Sequence, residues 1–243
     1  MLTWTLFLLF LFVTAASFTQ RVTGFGFGII AMTMLPYLLP SYGEATALSS
    51  LLAIFTALIP AIRMRGLLHW RKLAVILPVF LAVSFFAVRM VTGVDSDLLR
   101  HILGGVLIAV SLYFFFISGR IHLPPRLDVQ AGMGALSGLM GGLFAMQGPP
   151  AVIYFLGCAD SKDEYIALTQ WYFLIGNAAM SLFRAGNGLV TPTVLRMWCF
   201  ALPGVFLGLW LGKKVYARLR AERLRKVVYA FLAGAGFAAP VAS

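Results

Sequence analysis

Apolar runs of about 20 residues recur along this chain from end to end, and runs of that length can cross a hydrocarbon core of roughly 30 Å. In lipid every backbone N–H and C=O must find its partner inside the protein, so only helices and closed barrels remain open to such a chain. The runs are continuous, not alternating, which argues against barrel strands. Of 243 residues 61% are hydrophobic and 11% charged, whereas soluble domains carry roughly a quarter charged residues. The prediction is an all-α polytopic membrane protein, embedded in a lipid bilayer, with no soluble domain between its spans. The net charge of +11 does not imply nucleic acid, because the basic residues sit in short loops between spans. The first basic residue is Arg21, so the apolar start lacks the positive region of a cleaved signal peptide and is expected to stay in the protein. Cys158 and Cys199 show no metal or redox spacing and read as packing thiols.

A second pattern divides the chain. With a shift of 114 residues, Gly24, Gly28, Ala31, Met32 and Pro36 meet Gly138, Gly142, Ala145, Met146 and Pro150. With a shift of 120, Glu44, Ala47 and Leu48 meet Glu164, Ala167 and Leu168; with 125, Leu77-Pro78 meets Leu202-Pro203, and Leu99-Arg100 meets Leu224-Arg225. The order never changes, so the chain reads as two repeats, 1–122 and 123–243, joined near "SGRIHLPPRLD". Each repeat is predicted to hold one broken Gly/Pro segment, 4–39 or 130–157, followed by three spans. Those spans are 45–62, 73–94 and 98–118, then 165–183, 193–212 and 226–242, a plan countable as seven or eight transmembrane segments.

Charge tests the topology. If every segment crossed once, Lys and Arg would divide 8 to 10 between the faces. If the second broken segment dips in and returns, loops 63–72, 119–129, 158–164 and 213–226 share a face with 14 Lys and Arg. The opposite loops then hold only Arg89, Arg100, Arg184 and Arg196. The positive-inside rule favours this arrangement and puts the basic loops in the cytoplasm. Three crossings per repeat invert the second relative to the first, and the two broken segments would meet from opposite faces.

Broken helices at membrane depth are tolerated where they line a cavity. A helix that starts there offers unpaired N–H groups and a positive dipole end, and glycine allows an oxyanion close approach. "TGFGFG" and "AMQGPP" would each supply one wall of such a pocket. The candidate substrate-binding residues are Thr23, Gly24, Gly26, Gly28, Gln147, Gly148, Pro149 and Asn177, with Arg21 facing either the pocket or the membrane interface. Gln20 and Gln170 are further donors beside the breaks. The alternative is that the glycines only let helices pack closely. Glu44 and Glu164 suit helix N-terminal capping better than proton coupling, and His69, His101 and His122 read as interfacial. No catalytic constellation, cofactor motif or metal-ligand spacing occurs. A coupling ion, H+ or Na+, is compatible with the plan but no pattern specifies one, nor does any specify an oligomeric state.

At these residues the chain resembles the TauE/SafE family of sulfite and sulfonate exporters, also called the 4-toluene sulfonate uptake permease family. The likeness is carried by "TGFGFGIIAMTMLP", "RMRGLLHWRK", "GALSGLMGGLFAMQGPPAVIYFL" and "LIGNAAMSLFRAGNGL", spread through both repeats. Many members have adjacent glycines where this chain alternates Gly24, Gly26 and Gly28. The resemblance implies a secondary transporter of small sulfur-containing anions in the cytoplasmic membrane, working by alternating access between the repeats. The competing class is a non-transporting membrane scaffold or assembly factor, which needs no polar pocket at the midplane.

Overall fold

The computed structural model describes residues 2–116 and 126–216, and every described element is helical. The α-helices are α1 Leu2–Thr23, α2 Phe27–Met32, α3 Leu35–Leu38, α4 Tyr42–Arg63, α5 Ile76–Gly93, α6 Ser96–Phe116, α7 Leu127–Phe144, α8 Gly148–Cys158, α9 Lys162–Gly186 and α10 Pro192–Tyr216. Among the described residues six helices are long and apolar enough to cross a membrane: α1, α4, α5, α6, α9 and α10. Large apolar side chains such as Phe7, Phe86, Leu182, Phe200 and Trp210 point outward. A surface of that kind belongs in lipid. The chain is a multi-pass helical membrane protein. The expected span 226–242, the repeat junction at 122 and most of the 213–226 loop lie outside the described residues.

The five expected spans within the described residues appear at nearly the expected bounds. Two features differ. α1 runs whole through Leu2–Thr23, so the first break falls at its end, at Gly24 and Gly26 with φ of 84° and 102°. The second break lies at 145–147, within the expected "AMQGPP", whereas the glycines that the 114-residue shift aligned with Gly24 and Gly28 lie outside it. Gly138 and Gly142 sit inside α7, where a Cβ on Gly138 would come within 2.8 Å of Val83 Cβ and one on Gly142 would overlap Ala87. They are close-packing residues of a small-xxx-small stripe.

Such stripes define the helix pairs. On α7, Gly134 faces Ile76, Gly138 faces Phe80 and Val83, and Gly142 faces Ser84 and Ala87, so α7 and α5 run parallel. On α10, Gly204 faces Phe10, Gly208 faces Thr14 and Gly212 faces Phe18 and Arg21, so α10 and α1 also run parallel. Between these pairs α4 and α9 pack antiparallel: Gly43 lies against Leu189, while Ser50 lies against Arg184. Small buried residues of α4, among them Ser49, Ser50, Ala53 and Ala57, permit that approach.

Two corners close the bundle in matching ways. Ser41 caps α4 by accepting the Glu44 N–H at 3.2 Å, and Ser161 caps α9 by accepting the Glu164 N–H at 3.1 Å. This is the start signal read from the sequence, but both carboxylates also reach a loop. Thr191 donates its hydroxyl to Glu44 Oε1 at 2.6 Å. Glu164 takes His69 at 2.7 Å and Lys72 at 2.8 Å, and Lys72 also binds Asp160 at 2.8 Å. Burial lowers the affinity of the Lys72 amine for its proton, yet its hydrogen bonds to Asp160 and Glu164 outweigh that and raise its pKa. The same Lys72 hydrogen bond holds the Asp160 carboxyl below the usual carboxylate range.

Candidate functional site

The two breaks meet between α4 and α9. Gly28 is so close to the second break that a Cβ there would overlap the Ala145 carbonyl oxygen. Beside this contact lies a cavity of about 30 Å³ lined by Gln20, Gly26, Phe27, Gly28, Ile29, Ala53, Ala145, Met146, Gln147, Gly148, Phe173 and Asn177. That is room for a water or two. Among the described residues no charged side chain lines it.

Local structure explains each wall. Glycines with positive φ turn the chain at the end of α1, where a residue with a Cβ would pay roughly 1–2 kcal/mol. The Thr23 hydroxyl lies 2.9 Å from Thr19 O and 2.6 Å from Phe25 O, stitching the turn. Gln20 Oε1 accepts the Phe27 N–H at 3.1 Å, and Gln170 Nε2 donates to Gly24 O at 2.7 Å. In the second break Ala145 adopts φ 54°, and Met146 N–H closes back on Met140 O at 3.1 Å. Ser137 donates to Gln147 O at 2.5 Å while accepting from Tyr172 OH at 2.8 Å. The Gln147 amide reaches Phe173 O at 3.4 Å, leaving its Oε1 buried without a partner among the described residues.

Of the residues singled out in the sequence, Gly26, Gly28, Gln147, Gly148 and Asn177 line this one cavity, as does Gln20. Thr23 and Gly24 shape the first break from behind it. Pro149 is buried in the first turn of α8, where neither it nor Pro150 has an N–H to offer, so Gly148 supplies the amide at that helix start. Arg21 lies apart. It lines a second cavity of about 160 Å³ with Arg63, Lys213, Ile59, Pro60, Phe206, Leu209 and Trp210, at the basic end of the bundle. His101 sits at the start of α6, with Nδ1 2.7 Å from Asp97 O, while His122 lies outside the described residues. Cys158 is buried and Cys199 exposed on the outer surface; both are free.

Sequence reasoning missed Ser137, Tyr172 and above all Arg184. Arg184 was expected in a loop at 184–196, but α9 continues to Gly186 and carries the guanidinium fully buried. It donates to Ser50 Oγ, to Gly141 O at 2.9 Å and to Gly142 O at 3.0 Å. A heptad step from Gln170 to Asn177 to Arg184 was the available signal, since it puts all three on one face of α9.

The family model described as "Sulfite exporter TauE/SafE" matches residues 9–239. The chain belongs to the TauE/SafE sulfite exporter family. It is also similar to a protein of Cupriavidus necator named "Probable sulfite/organosulfonate exporter TauE", with 25% identity over 235 residues, covering 91% of this chain and 88% of that relative. No solved structure matches the chain significantly. TauE/SafE proteins are membrane transporters, and the six long apolar helices suit that class.

Proposed function

We propose that this TauE/SafE protein is a secondary transporter of small sulfur oxyanions or organosulfonates, and that the substrate passes through the cavity between the two breaks. The observation that carries this reading is the convergence of both breaks on one cavity walled by Gln20, Gln147, Asn177 and Gly148 and, among the described residues, by no carboxylate. Amide groups of this kind can replace the water shell of an oxyanion, each unmet bond costing about 1–3 kcal/mol. The 30 Å³ space is smaller than the substrate, so the bundle must open for it to bind.

Alternating access would come from residues 1–122 and 123–243 moving as inverted repeats. Support comes from the pairing of helices: exchanging α1 with α7, α10 with α5 and α4 with α9 turns the parallel pair α1–α10 into α7–α5 and leaves the antiparallel pair α4–α9 as itself. The reading places the protein in the cytoplasmic membrane, with the basic end inside. Flux of labelled sulfite, sulfoacetate and an unrelated monocarboxylate in proteoliposomes tests the function. Sulfur-anion flux that saturates, and that the carboxylate does not block, is expected; absence of flux for every sulfur anion in both directions would refute it.

A further inference from the structure

Arg184 is a cation in the middle of the bundle, and among the described residues no carboxylate forms an ion pair with it. A charge in that position is costly, and such residues usually act on an ion. Its guanidinium makes three described hydrogen bonds, to the Ser50 hydroxyl and to the carbonyls of Gly141 and Gly142, while its Nε has no partner among the described residues. Gly141 and Gly142 belong to the last turn of α7, and Ala145 just beyond that helix lines the cavity. The C-terminal end of a helix is negative and would repel an anion held beside it. Arg184 covers that end.

We infer that Arg184 is the resident positive charge that makes the cavity select anions, by cancelling the negative end of α7 and adding a net charge behind the site. This rests on the transport reading. The geometry is favourable for action without contact. Asn177 lines the cavity, and Arg184 stands seven residues further along α9 on the same face, about 10 Å along the axis. Gly141 bridges the two: a Cβ there would lie 3.1 Å from both Gln147 Cβ and Met180 Sδ, so the capped end of α7 abuts the cavity wall. At roughly 10–12 Å and an effective dielectric of about 20, one unit of charge changes affinity about tenfold for a monoanion and correspondingly more for a dianion. Arg184 is therefore a positioning and field-setting residue; it does not contact the substrate.

Two variants separate charge from hydrogen bonding. Arg184→Gln keeps an N–H donor for the α7 carbonyls but removes the charge; Arg184→Lys keeps the charge and gives up the paired bonds. KM is measured in proteoliposomes for sulfite at a pH where it is a dianion and for methanesulfonate, a monoanion. Arg184→Gln should raise KM about tenfold for methanesulfonate and roughly tenfold further for sulfite, while Arg184→Lys keeps the native ratio between the two. Equal shifts for both anions in Arg184→Gln would leave only a structural cap and overturn the inference. If Arg184→Gln yields no folded protein, Ser50→Asp decides, because a carboxylate beside the guanidinium cancels its charge while leaving Arg184 in place: a larger KM rise for sulfite than for methanesulfonate supports the charge, and equal shifts overturn it. Native protein that carries neither anion overturns the proposed function and this inference with it, whereas native flux with an unselective Arg184→Gln overturns this inference alone.

Discussion

Three glycines at the breaks should respond to alanine very differently, and the order is fixed by what each new methyl would meet. At Gly28 the methyl would overlap the backbone oxygen of Ala145, with Ala145 C at 3.2 Å and Met146 Cα at 3.5 Å behind it. A backbone carbonyl cannot rotate aside, so the breaks must separate by about 1 Å to restore an ordinary C···O distance. Overpacking of this kind costs about 1–3 kcal/mol. At Gly26 the nearest atom is Thr19 Cγ2 at 3.4 Å, so there is room, but φ of 102° brings a conformational cost of roughly 1–2 kcal/mol. At Gly148 the neighbours are Phe173 at 3.6 Å and Phe25 at 3.7 Å, ordinary contacts on a helical residue, and the cost should be near zero. Melting of the detergent-purified variants reads the series, at about 2–4 °C per kcal/mol for a chain of this size. Gly28→Ala should melt lowest and Gly148→Ala with the native protein. Native melting of Gly28→Ala, or a large drop for Gly148→Ala, would falsify the description of the breaks as a close backbone contact beside an open space.

Gly148→Val should fold but lose sulfite flux, since its branches would fill the cavity; normal flux through well-folded protein would exclude the cavity from the path. Gln147→Ala should weaken substrate binding by about 1–3 kcal/mol, roughly 5- to 150-fold in affinity, and unchanged affinity would take Gln147 out of the site. Because the Asp160 pKa is lowered by Lys72, the Lys72–Asp160 bond contributes fully above the usual carboxylate range and is lost as pH falls through the lowered value. Amide protection factors in residues 64–74, which divide out the intrinsic slowing of exchange in acid, should fall on acidification in the native protein and be already low in Asp160→Asn; equal protection in the two at neutral pH would contradict this. A single cysteine at Arg65 or Lys213 should resist a membrane-impermeant reagent added to intact cells, and labelling there would reverse the orientation.

Much of the fold was legible because a bilayer leaves a long apolar run one thing to do. The five spans that fall among the described residues needed only length and hydropathy. The first break was equally readable, since Gly24 and Gly26 supply the positive φ that the turn uses. The second was harder: its turn residue is Ala145, which carries no such signature, and Gly138 and Gly142 four residues apart look the same whether they break a helix or pack one. The contact with α5 decides between these, and that partner lies about fifty residues away in sequence. Arg184 was misplaced for a related reason. A lone arginine near the end of an apolar run ordinarily marks the membrane surface, and only the exposed α7 carbonyls make its burial tolerable. Ser137 and Tyr172 give no sign of their pairing, which spans 35 residues of sequence.

The matched corners carry one consequence for the proposed cycle. If the repeats alternate, each corner must loosen in turn, because the loop latched by Glu44 joins α9 to α10 and the loop latched by Glu164 joins α4 to α5. The latches are built on equivalent glutamates but differ in chemistry. Glu44 holds its loop by one hydroxyl from Thr191, whereas Glu164 holds His69 and Lys72 in a cluster with Asp160. Each of these bonds has a carboxylate acceptor and is worth roughly 1.5–3 kcal/mol, so the two loop side chains held by Glu164 outweigh the one held by Glu44. The basic end should therefore be the harder one to open. Glu164→Gln removes that difference while keeping the residue's shape, and leaves Ser161 free to cap α9. It should expose a cysteine placed at Asn177 to a small thiol reagent from the basic end. Thr191→Val, which cuts the weaker latch, should favour exposure from the other end. Exposure from the same end in both variants would show that these corners do not gate the cavity.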